Sequence, residues 1–272
     1  MDAGVHVANY LLVFVMALFA LLLIMEVLRP YKKFSGRSLK QSFATNTSAF
    51  IFNNIIMGVL SVSTLFVVAA RYSHYGLLNG LESGPLKWIL TFILFDFSVY
   101  VWHFIGHHSE SLWRFHKIHH SDKSFHVTTG FRFHVFDELL EVVVKSLCVV
   151  VIGADANVVV VCEVIRMAFV LFHHSNLVIP GERWLSYIFI TPFLHRAHHS
   201  TLRSEHDSNY GIVLSVWDLI FGTRKEVVPE KIGLEMIEAE NFVQLFCLAF
   251  ITERRLARLL HVLPRRGGRN SS

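Results

Sequence analysis

Seventeen histidines in 272 residues exceed what solubility or core packing asks of a chain, and their spacing is regular. His103 and His107 stand four apart. His116-x-x-His119-His120 follows, and about 75 residues later His195-x-x-His198-His199 repeats the same pattern. Positions i, i+3 and i+4 of a helix lie on one side of it, so each triplet is expected to project its imidazoles from a single helix side. A neutral imidazole offers one nitrogen lone pair to a metal. Several rings converging give a nitrogen-rich site suited to iron, zinc, copper or nickel. A lone HxxH says little, but two HxxHH triplets and an HxxxH in one chain point to a polyhistidine metal site.

Other residues sort themselves around this set. Asp96 and Tyr100 precede His103 at steps of seven and three residues, on the same helical face. A carboxylate inside an apolar run is costly unless paired, and Asp96 is expected to orient a ligand imidazole. His173 and His174 are neighbours whose side chains point roughly 100 degrees apart on a helix. Both can serve only if one binds a second metal or stands behind the ligands; His174 is favoured as the ligand. His108 and His126 flank the motifs without their spacing and are expected to be solvent-exposed or in contact with ligands. His6, His74 and His261 stand alone and read as interfacial polar residues.

The elements that must position these rings belong in a bilayer. The chain is 53% hydrophobic and 17% charged, far from an ordinary soluble domain. Its net charge of +4 comes with no aromatic-interleaved basic stretch, which excludes a nucleic-acid surface. Cys148, Cys162 and Cys247 lie in apolar runs without paired spacing and read as small core residues. Asn9 to Leu28 is long enough to cross the hydrocarbon core. No Lys or Arg precedes it, whereas Arg29, Lys32, Lys33, Arg37 and Lys40 follow, so it is expected to remain as an anchor with its N-terminus outside.

A second span, Ala49 to Ala70, then leads outward to a glycine-containing turn, and Leu86 to His107 returns. That return meets Arg114, Lys117, Lys123 and Arg132, so span counting and charge both place the histidines on the cytoplasmic side. Leu139 to Ile152 and Asn157 to Phe172 read as a helical hairpin. Its Glu141, Lys145, Glu163 and Arg166 must face protein, pair with one another or penetrate only partly. An amphipathic stretch, Trp184 to Leu194, and an apolar patch, Phe242 to Ile251, followed by a basic tail, suit the membrane surface. The expected fold is all-α: a polytopic membrane helical bundle with a cytoplasmic histidine-rich metal-binding cap. Residues 1–85 would supply anchor helices, 86–224 the catalytic region and 225–272 an amphipathic, basic tail, in one domain.

The strings Asp96-FSVY-x-x-His103, WRFHKIHHSD from Trp113, VTTGFRFH from Val127, FHHSNL from Phe172, TPFLHRAHHS from Thr191 and DSNYG-x-x-x-SVWDLIFGT from Asp207 resemble the fatty acid hydroxylase and sterol desaturase superfamily. Its three histidine boxes fall on His103 and His107, on His116, His119 and His120, and on His195, His198 and His199; its additional histidine before Ser-Asn matches His174. A frequent His-Pro-x-Glu element is here His134-Val135-Phe136-Asp137, with the proline lost and the acid shortened. His134 and His173 are therefore further candidates for the metal or for contact with its ligands.

The resemblance implies two iron ions, with zinc a competitor on isolation, and dioxygen as co-substrate for hydroxylating or desaturating a C–H bond of a membrane lipid. The membrane would be a bacterial inner membrane or the endoplasmic reticulum. The chain has no CxxCH, no iron–sulfur cysteine set and no GxGxxG fingerprint. Electrons would come from a cytochrome, ferredoxin or flavin reductase, docking near Arg114, Lys117 and Lys123. A membrane zinc hydrolase is the first rival, but HExxH with its general base is missing. A metal carrier is the second, expected to string ligands through the middle of several spans.

Overall fold

A computed structural model describes residues 2–60, 64–235 and 239–251, with side chains from Tyr10 onward. It is helical throughout; among the described residues there is no strand, only three isolated bridges. α1 (Asp2–Leu28) carries the apolar run, 19 residues from Tyr10 that are long and apolar enough to cross a bilayer. Glu26 in its last turn is not loose in lipid. Its Oε1 accepts the backbone N–H groups of Val127 at 2.8 Å and Asn176 at 2.6 Å, fastening two loops of the histidine cap to the anchor.

The second expected span is not continuous. α2 (Gly36–Val59) is capped by the Ser35 hydroxyl, and a separate α3 (Leu65–Tyr72) is capped by Thr64. α2 ends with Leu60 as its C-cap, and Thr64, a residue type that favours caps over helix interior, opens α3. α2 also has other work. Its buried Ser42, Asn46 and Asn53 face the loop after the first triplet, where Ser42 donates to Asp122 at 2.7 Å and Asn46 accepts from Arg132 at 2.9 Å.

α4 (Pro85–His108) begins with a proline at its first turn, where no N–H is missed, and is the second helix able to cross a bilayer. Its buried face includes Asp96, Val99, Tyr100, His103 and His107, the stripe that the sequence spacing predicts. α5 (Glu110–His120) follows after a single residue, Ser109. α6 (Val135–Ile152) and α7 (Ala156–His173) form the hairpin, and α7 is the third candidate span. Gly153 closes α6 in the left-handed region at φ 74°, and the adjoining Tyr75–Gly76 backbone leaves it no room for a side chain. The hairpin's charges are paired: Lys145 Nζ lies 3.1 Å from Glu141 and 3.2 Å from Glu163, and Arg166 reaches Glu163 at 3.1 Å. Mutual neutralisation is what makes such groups tolerable at membrane depth. Leu65, Ala69, Phe95, Val99, Val149 and Val159 join α3, α4, α6 and α7 in one core.

The rest is short. α8 (Glu182–Leu185), α9 (Pro192–His198), α10 (Arg203–His206), α11 (Val216–Ile220) and α12 (Phe242–Leu248) are linked by irregular backbone. The amphipathic Trp184–Leu194 stretch is thus α8, a bridge from Phe189 to Leu214 and the start of α9. α12 buries Leu245 and Leu248 against Ala49 and Ile118, while Val243, Cys247 and Phe250 stay exposed. Cys247 is therefore a surface residue, not a core one. The expected basic tail and His261 lie outside the described residues, as does the side chain of His6.

Candidate metal centre

The eight boxed histidines and His174 meet in the cap as two adjacent sets, all of them buried. One comprises His103, His107, His116, His120 and His198; the other His119, His174, His195 and His199. In each set one donor atom per residue lies within 4.8 Å of all the others. The sets touch where the rings of His120 and His199 stack, 4.4 Å between centroids. Each triplet is divided between them. His116 and His120 face the first set and His119 the second, whereas His195 and His199 face the second and His198 the first. The expectation that a triplet points from one helix side into one site is corrected accordingly. Residues four apart stay within about 40 degrees of each other, but the intervening third residue stands some 100 degrees from its neighbour.

In the first set the outer nitrogens are tied back. Nδ1 of His103 donates to Tyr210 O at 2.8 Å and Nδ1 of His198 to Ser208 O at 2.7 Å. His116 Nδ1 pairs with Asp137 at 3.0 Å and His107 Nδ1 with Asp207 at 3.3 Å. In all four rings the opposite Nε2 is buried with no hydrogen-bond partner. Buried polar atoms are rarely orphaned, and four in one place, each on a ring fixed from behind, are arranged as metal ligands are.

In the second set only His174 has such an outer bond, to Val170 O at 2.7 Å. Its Nε2 lies 3.0 Å from His119 Nε2 and 2.9 Å from His195 Nε2, which is itself 3.2 Å from His199 Nε2. Between neutral rings these are N–H···N hydrogen bonds, one ring of each pair donating to the other, and a cation would take the converging lone pairs in their place. Such separations also suit nitrogens bound at ~2.1 Å to one ion. Phe133 stacks on His119 at 4.4 Å and Phe125 packs on His199 at 5.1 Å, closing this side to water. Burial, then the neighbouring imidazoles, hold His119, His120, His195, His198 and His199 well below the ordinary histidine pKa. Neutral rings keep their lone pairs for a metal. The donor set therefore fits two ions with nitrogen ligands.

The remaining candidates fall elsewhere. His173 donates to Ile212 O at 3.2 Å and lies beside His195, 4.0 Å between rings, outside both sets. His134 is away from the centre: its Nδ1 accepts the Phe136 N–H at the start of α6, and its ring stacks on Phe246 at 4.7 Å. Asp96 does not hold an imidazole. It accepts Trp217 Nε1 at 2.8 Å, Leu214 N at 3.2 Å and Val213 N at 3.3 Å, because the 207–218 loop, not a histidine, packs against that part of α4. His108 is exposed, His126 is buried among Ser42 and Thr128, and His74 lies on the surface against Tyr75. The expected docking patch is reduced. Lys117 is buried, its Nζ donating to Ile251 O at 2.8 Å, and Arg114, though exposed, donates to Ala249 O.

Sequence reasoning passed over His206 and Tyr210. His206 stacks on Trp113 and forms a small group with His107 and Asp207. Tyr210 packs edge-on against His107 at 5.1 Å with a buried hydroxyl that has no partner. Neither repeats the i, i+3, i+4 pattern; the DSNYG string is the signal that contains Tyr210.

Membrane-length helices that carry two neighbouring buried polyhistidine sets define a class of membrane metalloprotein. The fatty acid hydroxylase family profile matches residues 88–223, and this chain belongs to that family. Ornithine lipid hydroxylase OlsE of Rhizobium tropici is 28% identical over 75% of the chain and 63% of its own length. Alkylglycerol monooxygenase of Xenopus tropicalis is 28% identical over 78% of the chain and 46% of its length. The zebrafish (Danio rerio) cholesterol 25-hydroxylase-like protein is 23% identical over 73% and 79%. The chain thus spans about half to two thirds of the first two relatives. No solved structure matches it. Spans and relatives together mark it as a membrane protein.

Proposed function

We propose that the chain is a dioxygen-dependent lipid hydroxylase or desaturase with two iron ions, one in each histidine set. The observation that carries this reading is the pair of adjacent, buried, all-nitrogen donor sets, one of five histidines and one of four. Zinc would compete for the same nitrogens during isolation. When bound, the two ions supply the redox chemistry by which dioxygen and two electrons oxidise an unactivated C–H bond. For hydroxylation the balance is RH, O2, two electrons and two protons giving ROH and water.

The protein's own part is placement and exclusion. Asp137, Asp207 and the carbonyls of Tyr210 and Ser208 fix the first set of rings, so little rearrangement accompanies metal uptake. Phe133 and Phe125 shield the second set, where water would otherwise intercept the oxidant. The HExxH glutamate that serves as base in many zinc hydrolases has no counterpart in the sequence, and Asp137 and Asp207 are bonded behind His116 and His107. The names of the relatives support an amphipathic membrane lipid as substrate. Electrons would come from a separate cytochrome, ferredoxin or flavin reductase, and Arg114 and Lys123 are the exposed basic side chains of the expected docking patch. Purified with iron, a reductant and oxygen, the protein is expected to hold about two ions per chain and to convert a bilayer lipid to a product one oxygen heavier or two hydrogens lighter. Turnover that persists without oxygen would overturn the reading.

A further inference from the structure

A third, smaller group of metal donors stands at the rim of the first histidine set: His206, Asp207 and His107, with one donor atom of each within 4.8 Å of the others. His107 is common to this group and the first set. His206 comes from α10, outside the boxes, yet it is held as the boxed rings are. Its Nδ1 donates to Ser200 O at 3.0 Å, so the lone pair is on Nε2. That nitrogen lies 3.7 Å from Asp207 Oδ1, and the same oxygen is 3.3 Å from His107 Nδ1. The His206 ring stacks on Trp113 at 5.3 Å and stands 5.9 Å from the rings of His107 and His120, beside the set and not within it.

The five rings of the first set are buried, so an ion reaching them must pass a residue that meets both water and a ligand. Two carboxylates touch these rings. Asp137 has a side chain 8% exposed, against 22% for Asp207. The outer oxygen of Asp207, Oδ2, is 3.0 Å from Nε of Arg203, whose own side chain is 72% exposed. An ion pair so open to solvent holds weakly and gives way to a stronger cation. Behind it the donors increase inward: one carboxylate, one imidazole, then the five rings of the set. A dication stripped of water in one step would be a bare charge in a dry interior, whereas one that trades each water for a donor never is.

We propose that Asp207 and His206 form an outer divalent-cation site that takes a partly hydrated ion from solvent and passes it, through His107, to the first set. Resting on the reading of the two sets as metal sites, this adds the route by which one of them fills. An oxygen and a nitrogen, with water completing the shell, suit ferrous, zinc or cobalt ions but hold them less firmly than five imidazoles do. The outer site therefore sets how fast the ion enters, not how tightly it is finally bound. Because equilibrium affinity is the ratio of the two rates, a variant that lacks only the outer site slows entry and exit by the same factor.

Cobalt loading tests this by rate and without turnover. The full-length chain carrying His119→Ala, in which the first set alone is expected to keep an ion, is stripped of metal in detergent micelles and mixed with Co2+. Entry is followed by the absorption of the imidazole-bound ion, and exit by its decay in a chelator, extrapolated to zero chelator. Adding His206→Phe keeps a ring on Trp113 but removes the donor; entry and exit should both slow by about tenfold, with affinity unchanged. Adding Arg203→Ala instead, a surface change, should speed entry by about threefold at low salt and by less at high salt. Faster exit and weaker binding in His206→Phe, the signature of a residue that merely steadies His107, would overturn the outer site. Should His206→Phe fail to fold, unchanged or slower entry in Arg203→Ala would overturn it alone. If the folded His119→Ala chain takes up no cobalt, the metal centre falls and the route with it; cobalt bound at rates that His206→Phe leaves unaltered would sink the route and leave the centre standing.

Discussion

The two histidine sets are built on different principles although the same helices supply them. In the first, four of the five rings are held from behind, two by carboxylates and two by carbonyls of the 207–218 loop. In the second, one ring of four has a backbone acceptor, and the others rest on each other and on phenylalanines. A set fixed from outside is organised before metal arrives; a set whose rings hydrogen-bond one another at 2.9 to 3.2 Å must give up those bonds to take a metal.

The largest contrast should come from neighbouring residues of one triplet. His120→Ala should cost the ion of the first set and His119→Ala that of the second, each lowering metal content from about two ions per chain toward one and reducing lipid oxidation at least ~100-fold. Metal analysis checks the count, and the spectrum of the remaining ion, loaded as cobalt, should differ between the variants. Identical spectra, or loss of both ions from both variants, would remove the division into two sets.

A smaller effect is expected behind the ligands. Asp137→Asn leaves His116 in place but takes the charge from the acceptor that fixes its ring, and should weaken only the first ion, by ~10–100-fold in affinity. Competition with a chelator, followed through both ions separately, would show it. Equal weakening of the second ion would mean that the two sets are not independent.

Much of this centre was legible because histidine spacing reports helix geometry directly. All eight boxed residues and His174 come together, and the separation of His173 from His174 follows from the 100 degrees between adjacent helical positions. The same rule applies to His119 beside His120 and to His198 beside His199, so the division of each triplet was also implicit in the spacing. Asp96 shows what spacing omits. It shares a face with His103, yet its partner is decided by a loop more than 100 residues away, and nothing local encodes that approach. The broken second span is a similar case: hydropathy saw apolar residues in 49–70, while the polar face of α2 is explained only by the Asp122 and Arg132 side chains it meets.

The smallest effect should come from Asp96, and it should not discriminate between the sets. Its carboxylate accepts three N–H groups from residues 213–217, close in sequence to two of the carbonyls that hold imidazoles: Tyr210 O for His103 and Ile212 O for His173. In Asp96→Asn the side chain keeps its shape but has one oxygen to accept with, and its amide turns two hydrogens toward groups that also donate. Leaving a buried donor unmatched costs ~1–3 kcal/mol, so the midpoint of thermal unfolding should fall. Because the part of the loop nearest Asp96, residues 210–212, holds His103 of the first set and, through His173, only the flank of the second, both ions should remain, each bound less tightly by under ~10-fold. Thermal denaturation and metal analysis on the same preparation separate the two outcomes. Selective loss of one ion with stability unchanged would mean that Asp96 acts on a ligand after all, and would return to it the role that its place on the His103 face suggests.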